Sequence, residues 1–495
     1  MTSTGADTPG THTAEDASAA ISTAAAALSY DDLSPAVIEA AKRGILDTLA
    51  VSLAATGAAE DEVRPIHDLM KASRIAGGVP ALGYGWPLPL GDAVFWLGAL
   101  SHAIDFDDYV DIVHPSAPVV SAVLPLAQQR GNVDGRSLIT AVAIGQDLIT
   151  RIALAIPKGL GDYGWLPSLP GAFGAALGAS KVLGLDAERT RNALGVALHQ
   201  TSGTTQAMAS VGSAFRAIRE GFNGRAGLTA AQLAEQGLHA DRDSLEGRFG
   251  LFHQFFQGEY DPAALRRGVG TDLLGPRITF KPWPSAGHTH LFLTALAELL
   301  AGEPVPPGDI DRVVITGGSL LLEQQCEPRE QRIAPQQSID AKVSIPFLIG
   351  KFLAHRTLRI EDFSPAGLDD PTATALARRV EWHRDPSYRR GEEGFGPIRL
   401  DLDLVDGRRL STRVEFNLGH PRKPLSWQQL ADKFDQCLGC AALDIPDAAA
   451  KDVVEMVADL ESVRDVSVLM EKLTPTTSAG HRVGTSHPPG EQLGS

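Results

Sequence analysis

A helical pattern runs almost without interruption from residue 16 to about residue 268 and limits the fold more than any other feature of the chain. In SPAVIEAAKRGILDTLAVSLAAT, a serine and a proline precede apolar residues that recur about every 3.6 positions, as at the start of an amphipathic helix. GAFGAALGASKVLGL and GRAGLTAAQLAEQGL have the same composition, rich in alanine and leucine. The pattern predicts a helical domain whose first part covers residues 16–269.

Three glycines in GAFGAALGASKVLGL, namely Gly171, Gly174 and Gly178, are spaced so that they would face one neighbouring helix. A dinucleotide site would need a GxGxxG motif that follows a strand, and the segment has neither the motif nor the strand. The spacing therefore predicts close packing between helices.

The pattern changes near residue 277. RITFKPWP and DRVVITGG read as strands, and IRLDLDLVDGRRLSTRVEFNL alternates apolar and polar residues on either side of Asp406 and Gly407, which is a hairpin signal. SIDAKVSIPFLIGKFLAHRTL, between these segments, has helical spacing. An α+β lid domain is therefore predicted over residues 270–424.

Helical segments return after Pro424 and predict a second part of the helical domain over residues 425–474. The predicted fold class is mainly α, with a discontinuous all-helical domain into which the smaller α+β lid domain is inserted. A cleft between the two domains is the expected place for a ligand. The ends, residues 1–15 and 475–495, are rich in Thr, Ser, Gly and Pro and are predicted to be disordered.

Charge and cysteine content narrow the possible partners and compartment. The formal net charge of −16 argues against a nucleic-acid partner, which needs clustered lysine and arginine, and favours a small molecule. The three cysteines are too few for a disulfide framework, so a reducing compartment is expected, and Cys437 and Cys440 are interpreted as helix packing. Because the sequence contains neither a signal-peptide pattern nor an apolar run of roughly 18 residues, we expect a cytoplasmic protein with no membrane partner.

The stretch SHAIDFDDYVDIVHPSAPVVSAVLPLA, residues 101–127, concentrates acidic residues between apolar runs. If residues 101–112 form a helix, Asp105, Asp108 and Asp111 lie on one side, and their mutual repulsion requires a facing cation. Three interpretations are open: a solvated acidic face, a metal site and an acid–base site.

The metal interpretation depends on DDYVD, residues 107–111, which matches the DDxxD motif of isoprenoid synthases, where aspartates hold Mg²⁺ on a diphosphate. DFDD, residues 105–108, also matches the DxDD motif of terpene cyclases. A synthase of the first kind needs a second metal-binding motif, and the remaining candidate, Asp369 with Asp370, is followed directly by Pro371 in the α+β region.

His114 favours the acid–base interpretation. A residue that precedes proline avoids the helical region, so we expect His114 at a break, with the next helix beginning at Pro115 or Ser116. The positive end of a helix favours the neutral, proton-accepting form of a histidine.

The same stretch resembles the signature of a known family. DFDDYVDIVHPSAPVVSAVLPLA is similar to the DFDD and HP motifs of the MmgE/PrpD family, which includes 2-methylcitrate dehydratase, cis-aconitate decarboxylase and iminodisuccinate epimerase. The similarity continues through GWLPSLPGAFGAALGASKVLGL, SAFRAIREGFNGRAGLTAAQLAEQG and ITFKPWPSAGHTH, over roughly residues 20–470. It implies a helical domain with a smaller lid domain, usually in a homodimer.

The resemblance also implies roles for single residues. It implies that His114, Asp105 and Lys281 are catalytic. By the same resemblance, His114 transfers the proton, Asp105 orients the His114 ring or favours its charged form, and Lys281 binds a substrate carboxylate. It implies neither a metal nor another cofactor. The expected substrate-binding residues are Arg216, Arg219, Tyr109, Asp108, Ser285 and His290.

Two positions depart from the family pattern. Arg216 stands where the family has an active-site lysine, and Trp165 or Leu166 stands where it has a second histidine. Arginine stays protonated in proteins, and neither leucine nor tryptophan transfers a proton. Arg216 is therefore expected to clamp a substrate carboxylate.

The expected function is that of a lyase that dehydrates or hydrates a small di- or tricarboxylate by proton transfer next to a carboxylate. Decarboxylation or epimerisation of a specialised substrate is the alternative within the family. Two alternatives from other classes are a degenerate, non-catalytic, carboxylate-binding homodimer and a Mg²⁺-dependent isoprenoid synthase.

Overall fold

The structure is a computed structural model that describes residues 16–210, 213–302, 305–318, 320–388 and 395–474. The ends that were predicted to be disordered, residues 1–15 and 475–495, lie outside the described residues.

Helices dominate the described chain before residue 270. Their starts follow the sequence signals: the Ser34 side chain accepts a hydrogen bond from the third residue of its helix, with Pro35 in first position, and Asp134 caps another helix in the same way. A short two-stranded ribbon, β1 (Val79–Pro80) with β2 (Pro87–Leu88), interrupts the series. The helices are α1 (Ala17–Ala27), α2 (Pro35–Ala58), α3 (Glu60–Ala72), α4 (Leu90–Ala103), α5 (Ser116–Arg130), α6 (Gly135–Ala155), α7 (Gly171–Val182), α8 (Ala187–Leu198), α9 (Gln206–Ala209), α10 (Phe215–Glu235), α11 (Leu251–Phe256) and α12 (Pro262–Arg266).

A four-stranded sheet with helices forms the next region. The strand order is β4-β3-β5-β6, with β3 and β4 parallel and the other pairs antiparallel. The elements in chain order are α13 (His290–Gly302), β3 (Ile310–Gly317), α14 (Leu320–Cys326), α15 (Arg329–Ile333), α16 (Ser338–Ala341), α17 (Ile345–His355), α18 (Pro365–Leu368), α19 (Pro371–Ala377), β4 (Val380–Arg384), β5 (Ile398–Leu404) and β6 (Arg409–Val414). Three helices follow: α20 (Trp427–Gly439), α21 (Asp447–Ala458) and α22 (Ser467–Lys472).

The strand predictions are confirmed in part. DRVVITGG supplies β3, and β5 and β6 form the predicted hairpin, with Gly407 in the left-handed region at φ 88°. The strand predicted over RITFKPWP is wrong, because only Thr279 pairs there, in an isolated antiparallel bridge with Tyr109. This segment crosses between the helical region and the sheet region, where no neighbouring strand is available to it among the described residues.

Two separate hydrophobic cores confirm a mainly α fold with a small α+β domain. The first core joins side chains from residues 17–280 and 425–473, with Ile360 from the middle of the chain. The second core is made of residues 283–414 and packs the sheet against α13 and α17. The domain boundaries at residues 270 and 424 remain a proposal, which this division of the cores supports.

The small-residue pattern of α7 is explained by packing, as predicted. A Cβ atom added to Gly174 would lie 2.5 Å from the Ile149 side chain and 2.7 Å from the Gly145 carbonyl oxygen. A Cβ atom on Gly178 would lie 3.0 Å from the Ala141 carbonyl oxygen. Helices α6 and α7 can therefore approach this closely only because α7 has glycine at these positions.

Within the described ranges, one helix is long and apolar enough to cross a membrane, which the sequence analysis did not anticipate. It is α6, and 94% of its 18-residue apolar window is buried inside the protein. A buried core helix passes the same test of length and composition, so α6 gives only weak support for a membrane span.

Candidate active site

The acidic stretch is not a helix, so the condition under which Asp105, Asp108 and Asp111 would share one side is not met. Helix α4 ends at Ala103, and Asp105 and Asp111 have left-handed backbone angles, with φ 53° and 56°. A left-handed residue ends a right-handed helix, and aspartate tolerates this conformation better than most residues. The chain then turns, and Tyr109 forms two backbone hydrogen bonds with Thr279. The aspartates consequently face different partners.

Asp105 is the carboxylate that binds the predicted cations, Lys281 and Arg216. Its Oδ1 accepts a hydrogen bond from the Lys281 ammonium at 2.6 Å, and Lys281 also donates to the Asp105 carbonyl at 2.9 Å. The Arg216 Nη2 lies 3.3 Å from Asp105 Oδ2. Burial raises the pKa of Asp105, but Lys281 and His102 outweigh burial and hold the pKa well below its usual range. Asp105 is therefore a buried anion between two cations.

Asp107 orients two histidines. Its Oδ1 lies 2.9 Å from Nδ1 of His102, and its Oδ2 lies 2.9 Å from Nδ1 of His114. Burial raises the pKa of Asp107, but the two histidines outweigh burial and hold the pKa well below its usual range. Because an ionised carboxylate only accepts hydrogen bonds, both rings present Nδ1–H to Asp107. The two rings meet edge to face, with centroids 4.3 Å apart.

His114 lies at the break that the sequence predicted, and α5 begins at Ser116. Its Nδ1 also lies 2.9 Å from the carbonyl oxygen of Asp108, which can only accept a hydrogen bond. Nδ1 therefore carries a proton, and Nε2 is the ring nitrogen left to exchange a proton with a substrate. The His114 side chain keeps 10% of its surface exposed, whereas its partner Asp107 keeps 1%.

The carboxyl group of Asp108 is engaged in hydrogen bonds within the protein. The group bonds to the Ser116 hydroxyl and accepts the Ser116 backbone N–H at 3.3 Å, at the start of α5. Burial, followed by repulsion from Asp47, raises the pKa of Asp108 well above its usual range. Asp108 therefore contacts His114 through its backbone, because the Asp108 carbonyl oxygen accepts a hydrogen bond from Nδ1 of the ring.

Tyr109, Ser285 and His290 lie beside Lys281. The Tyr109 ring centroid is 5.8 Å from the Lys281 Nζ, and the Tyr109 hydroxyl lies 3.2 Å from an acceptor oxygen of Asn417. The Ser285 hydroxyl lies 3.3 Å from the His290 Nε2. Burial and the charge of Lys281 lower the pKa of His290 to about 3, so His290 is neutral near pH 7.

Arg216 and Arg219 project from the first turns of α10. The Arg219 Nε lies 3.2 Å from Glu220 Oε1, and its Nη1 donates to the Arg216 carbonyl at 2.8 Å. Burial, and then the charge of Arg219, lowers the pKa of His102 to about 3. Burial and the charge of Arg219 therefore keep His102 neutral near pH 7, so that its second ring nitrogen can accept a proton.

The sequence analysis assigned no catalytic or substrate-binding role to four residues of this cluster. His102 and Asp107 lie within the acidic stretch. The only sequence signal for their pairing was that a histidine stands five positions before an aspartate. The Nε2 of His288 is buried without a hydrogen-bond partner among the described residues, and burial lowers the pKa of His288 to about 3. Lys342, from a distant segment, is buried and interacts electrostatically with Asp105.

Of the two positions that depart from the family pattern, Arg216 reaches Asp105, whereas the Trp165 or Leu166 position supplies no polar group to this cluster. The Trp165 Nε1 donates to the Phe255 carbonyl at 2.8 Å, and Leu166 is fully buried. His102 and His288 are the histidines that the structure brings to the cluster besides His114 and His290.

His102, Asp105 and His114 could offer metal ligands, since one candidate ligand atom of each lies within 4.8 Å of the others. Lys281 and Arg216 already satisfy both Asp105 oxygens with positive charge, and a metal ion would have to displace them. The residues thus fit a bound anion better than a metal ion. The DDxxD interpretation has no geometric support either, because Asp107 and Asp108 bind separate protein partners.

Comparison with known proteins gives one consistent result. The profile of the MmgE/PrpD N-terminal domain matches residues 19–263, and that of the MmgE/PrpD C-terminal domain matches residues 283–460. The chain is 26% identical over 471 residues to human cis-aconitate decarboxylase, a match that covers 90% of this chain and 92% of the human one.

Two fungal proteins give the same picture. Cis-aconitate decarboxylase of Aspergillus terreus is 26% identical over 472 residues, which covers 90% of this chain and 93% of the fungal chain. Cis-aconitate decarboxylase-like protein oryM of Aspergillus oryzae is 23% identical over 470 residues, which covers 90% of this chain and 94% of the fungal chain. The similarity therefore extends over nearly the full length of each protein.

Proposed function

Because this chain belongs to the MmgE/PrpD family, we propose that it is a lyase that decarboxylates a small, unsaturated tricarboxylate of the cis-aconitate type. The observation that carries the proposal is the placement of His114, held at Nδ1 by Asp107, beside a buried cluster of Asp105, Lys281 and Arg216. The names of the relatives favour decarboxylation over the dehydration that the sequence analysis put first.

The proposed reaction breaks the bond between the carbon framework and one carboxylate, which leaves as CO₂. The electron pair of that bond moves through the adjacent double bond to the carbon next to another carboxylate, and this carbon takes up a proton. The reaction therefore needs cations that hold the remaining carboxylates and a group that delivers one proton.

Lys281 and Arg216 have the positions to bind substrate carboxylates. Both are held by one carboxylate, Asp105, which fixes them in place and leaves their other N–H groups for a ligand. Arg216 stays charged throughout, because a guanidinium does not lose its proton in a protein. We therefore assign Arg216 to binding, and not to the proton transfer that a lysine at this position could perform.

His114 is the proposed proton donor. Its Nδ1 proton is committed to Asp107 and the Asp108 carbonyl, so the proton that moves is the one on Nε2. Asp107 would stabilise the positive charge that the ring carries before the transfer, and Asp105 would set the local charge from close by.

A proton NMR time course in D₂O with cis-aconitate, 2-methylcitrate and citrate tests this proposal. We expect the cis-aconitate signals to decay and a product with one carboxylate fewer and one deuterium more to appear. His114→Ala should lower the rate about 10²- to 10⁴-fold, the usual contribution of an acid–base group. His199→Ala is the matched control, since that side chain is 68% exposed and pairs with Asp241.

The other outcomes are equally informative. Loss of water from 2-methylcitrate with cis-aconitate unchanged would replace decarboxylation by dehydration and keep the lyase assignment. No change in any of the acids would overturn catalysis and favour the degenerate carboxylate-binding protein. We further propose that the enzyme is a cytoplasmic homodimer with no nucleic-acid or membrane partner.

A further inference from the structure

Lys342 differs from every other buried lysine among the described residues. The remaining four each have a carboxylate oxygen within 3.3 Å of their Nζ atom, whereas Lys342 has neither an ion pair nor a side-chain hydrogen bond with the described chain. Its residue exposure is only 4%, but its Nζ is not among the fully enclosed polar atoms without a partner, so this atom faces a space that solvent or a ligand can reach. The four paired lysines are Lys42, Lys281, Lys351 and Lys433.

The backbone ties Lys342 to the candidate active site. Lys342 directly follows α16, and its carbonyl oxygen accepts a hydrogen bond from the Ala286 N–H at 3.0 Å. Ala286 lies between Ser285 and His288, which both belong to the residue cluster around Lys281. The Lys342 Nζ lies over the Phe363 ring, 5.8 Å from its centroid, so its one aromatic contact among the described residues is a cation–π contact and not a hydrogen bond.

The charges of the site act on Lys342. Burial lowers the pKa of Lys342 to about 8, Glu62 and Asp105 oppose this shift, and Arg216 and Lys281 add to it. Asp105 is already paired with Arg216 and Lys281, so it supplies no hydrogen bond to a third cation. Lys342 therefore adds a positive charge for which the described site offers no hydrogen-bonded carboxylate.

A largely buried ammonium without a carboxylate partner is costly, because it loses part of its hydration and gains, within the described chain, only the contact with the Phe363 ring. An anion that enters the site would supply the missing partner. We propose that Lys342 binds a carboxylate of the substrate other than the one bound by Arg216, so that this lysine selects acids with a third carboxylate. The inference rests on the proposed function, which it extends by naming the residue that distinguishes tricarboxylates from dicarboxylates.

Isothermal titration calorimetry of the full chain with tricarballylate and glutarate tests the inference without requiring turnover. These saturated acids carry three and two carboxylates. We expect the wild-type protein to bind tricarballylate at least about tenfold more tightly than glutarate, the usual size of one charge-assisted hydrogen bond. Lys342→Met should bring the ratio of the two affinities close to one, and Lys342→Arg should retain most of the preference.

A matched control is Lys181→Met. The Lys181 ammonium also lacks a carboxylate partner and donates to the carbonyls of Ala25 and Ala26, and burial also lowers its pKa, but it lies in α7. This variant should keep the wild-type ratio. An unchanged ratio in Lys342→Met, or a wild-type ratio near one, would overturn the inference.

Stability gives a second readout that a structural role would not produce. If Lys342 binds an anion only when the substrate is present, Lys342→Met removes a charge that has no partner in the ligand-free protein. The ligand-free variant should therefore melt at a temperature equal to or above that of the wild type. A lower melting temperature would contradict the inference. Failure of the proposed function looks different: the wild type would then bind tricarballylate with the expected preference and decarboxylate none of the acids tested.

Discussion

Asp105, Asp107 and Asp108 are close neighbours in sequence, yet their surroundings push them toward opposite protonation states. Asp105 faces Lys281, and Asp107 faces two histidines, so both have a pKa well below the usual range despite their burial. Asp108 faces a hydroxyl and another acid, and its pKa lies well above the usual range. Burial raises the pKa of all three, and it prevails only at Asp108, where the acid Asp47 adds to it and no cation outweighs it.

His290 gives the protein a pH-dependent stability that can be measured. Burial and Lys281 lower its pKa from 6.5 to about 3. Between these values the unfolded chain binds a proton that the folded chain does not, so stability is complete above pH 6.5 and falls as the pH falls toward 3. We expect the free energy of unfolding of His290→Gln to depend less on pH in this window, by up to about 1.4 kcal/mol per pH unit.

Urea unfolding of the wild type and of His290→Gln, followed by circular dichroism from pH 7.5 down to pH 4.5, measures this difference. Above pH 7 the histidine is neutral in both states, so the two stability curves should run parallel there and provide the internal control. Curves that stay parallel over the whole range would show that His290 does not carry the effect.

Helix α20 contributes no predicted site residue and lies far from the acidic stretch in sequence, yet it holds the segments that carry the site. Its Lys433 Nζ binds the Asp47 carboxylate of α2 at 2.5 Å and donates to the carbonyl oxygens of Phe106 at 2.6 Å and Lys281 at 3.1 Å. One buried ammonium therefore fixes two helices and the two segments that carry Asp105 and Lys281. The second part of the helical domain thus holds the backbone of the segments that carry the proposed catalytic residues.

Removal of this support should affect both stability and activity. We expect Lys433→Met to lower the free energy of unfolding by about 3–5 kcal/mol, because Asp47 remains buried without its partner. The turnover number should fall as well, since the Phe106 and Lys281 carbonyls lose a shared donor. Urea unfolding and the NMR assay measure the two effects.

Two further variants separate these effects. Lys433→Met combined with Asp47→Asn should recover part of the stability but not the activity, because the carbonyls stay without their donor. Lys472→Met removes an exposed ion pair with Asp452 and should cost less than about 1 kcal/mol. An activity equal to the wild type in Lys433→Met would contradict the supporting role of α20.

The molecule as a whole has two hydrophobic cores, and the proposed site combines side chains from both regions. Asp105, His114 and Arg216 come from the helical region, while Lys342 comes from the sheet region. Lys281 stands on the segment that joins the two. A change in the relative position of the two regions would therefore alter the distance between Lys342 and Arg216, which bind different carboxylates in our proposal.

The homodimer is the prediction that belongs to the whole molecule. Large apolar side chains before and within α10 stay exposed, at 52% for Met208, 39% for Phe215 and 48% for Phe222. Exposed apolar residues that cluster in one segment favour an interface. We expect analytical ultracentrifugation to give a mass about twice the chain mass of 52.4 kDa.

Met208→Glu should weaken this dimer, because it places a charge in the interface. Phe249→Glu is the control, since Phe249 is 71% exposed on another segment. A wild-type mass of one chain would contradict the dimer, and dissociation by Phe249→Glu alone would move the interface to that segment.

The sequence was sufficient wherever the signal is local. Ser34 with Pro35 marked the start of a helix, His114 before Pro115 marked a break, and Asp406 with Gly407 marked a hairpin. Each of these signals depends on backbone preferences that act within a few residues. The charge pattern of residues 101–112 could not show whether that segment is helical, because its backbone follows a tertiary contact with Thr279.

The sequence by itself therefore determined the helical and sheet regions, most element types and, through a resemblance, which residues to consider for the site. Only the tertiary structure decided the partners: that Asp105 binds Lys281, 176 positions away, that Asp107 holds His114, and that Lys342 is buried without a carboxylate. The reason is physical. Backbone periodicity is set by near neighbours along the chain, whereas the charge state of a buried group depends on which distant residues folding brings against it.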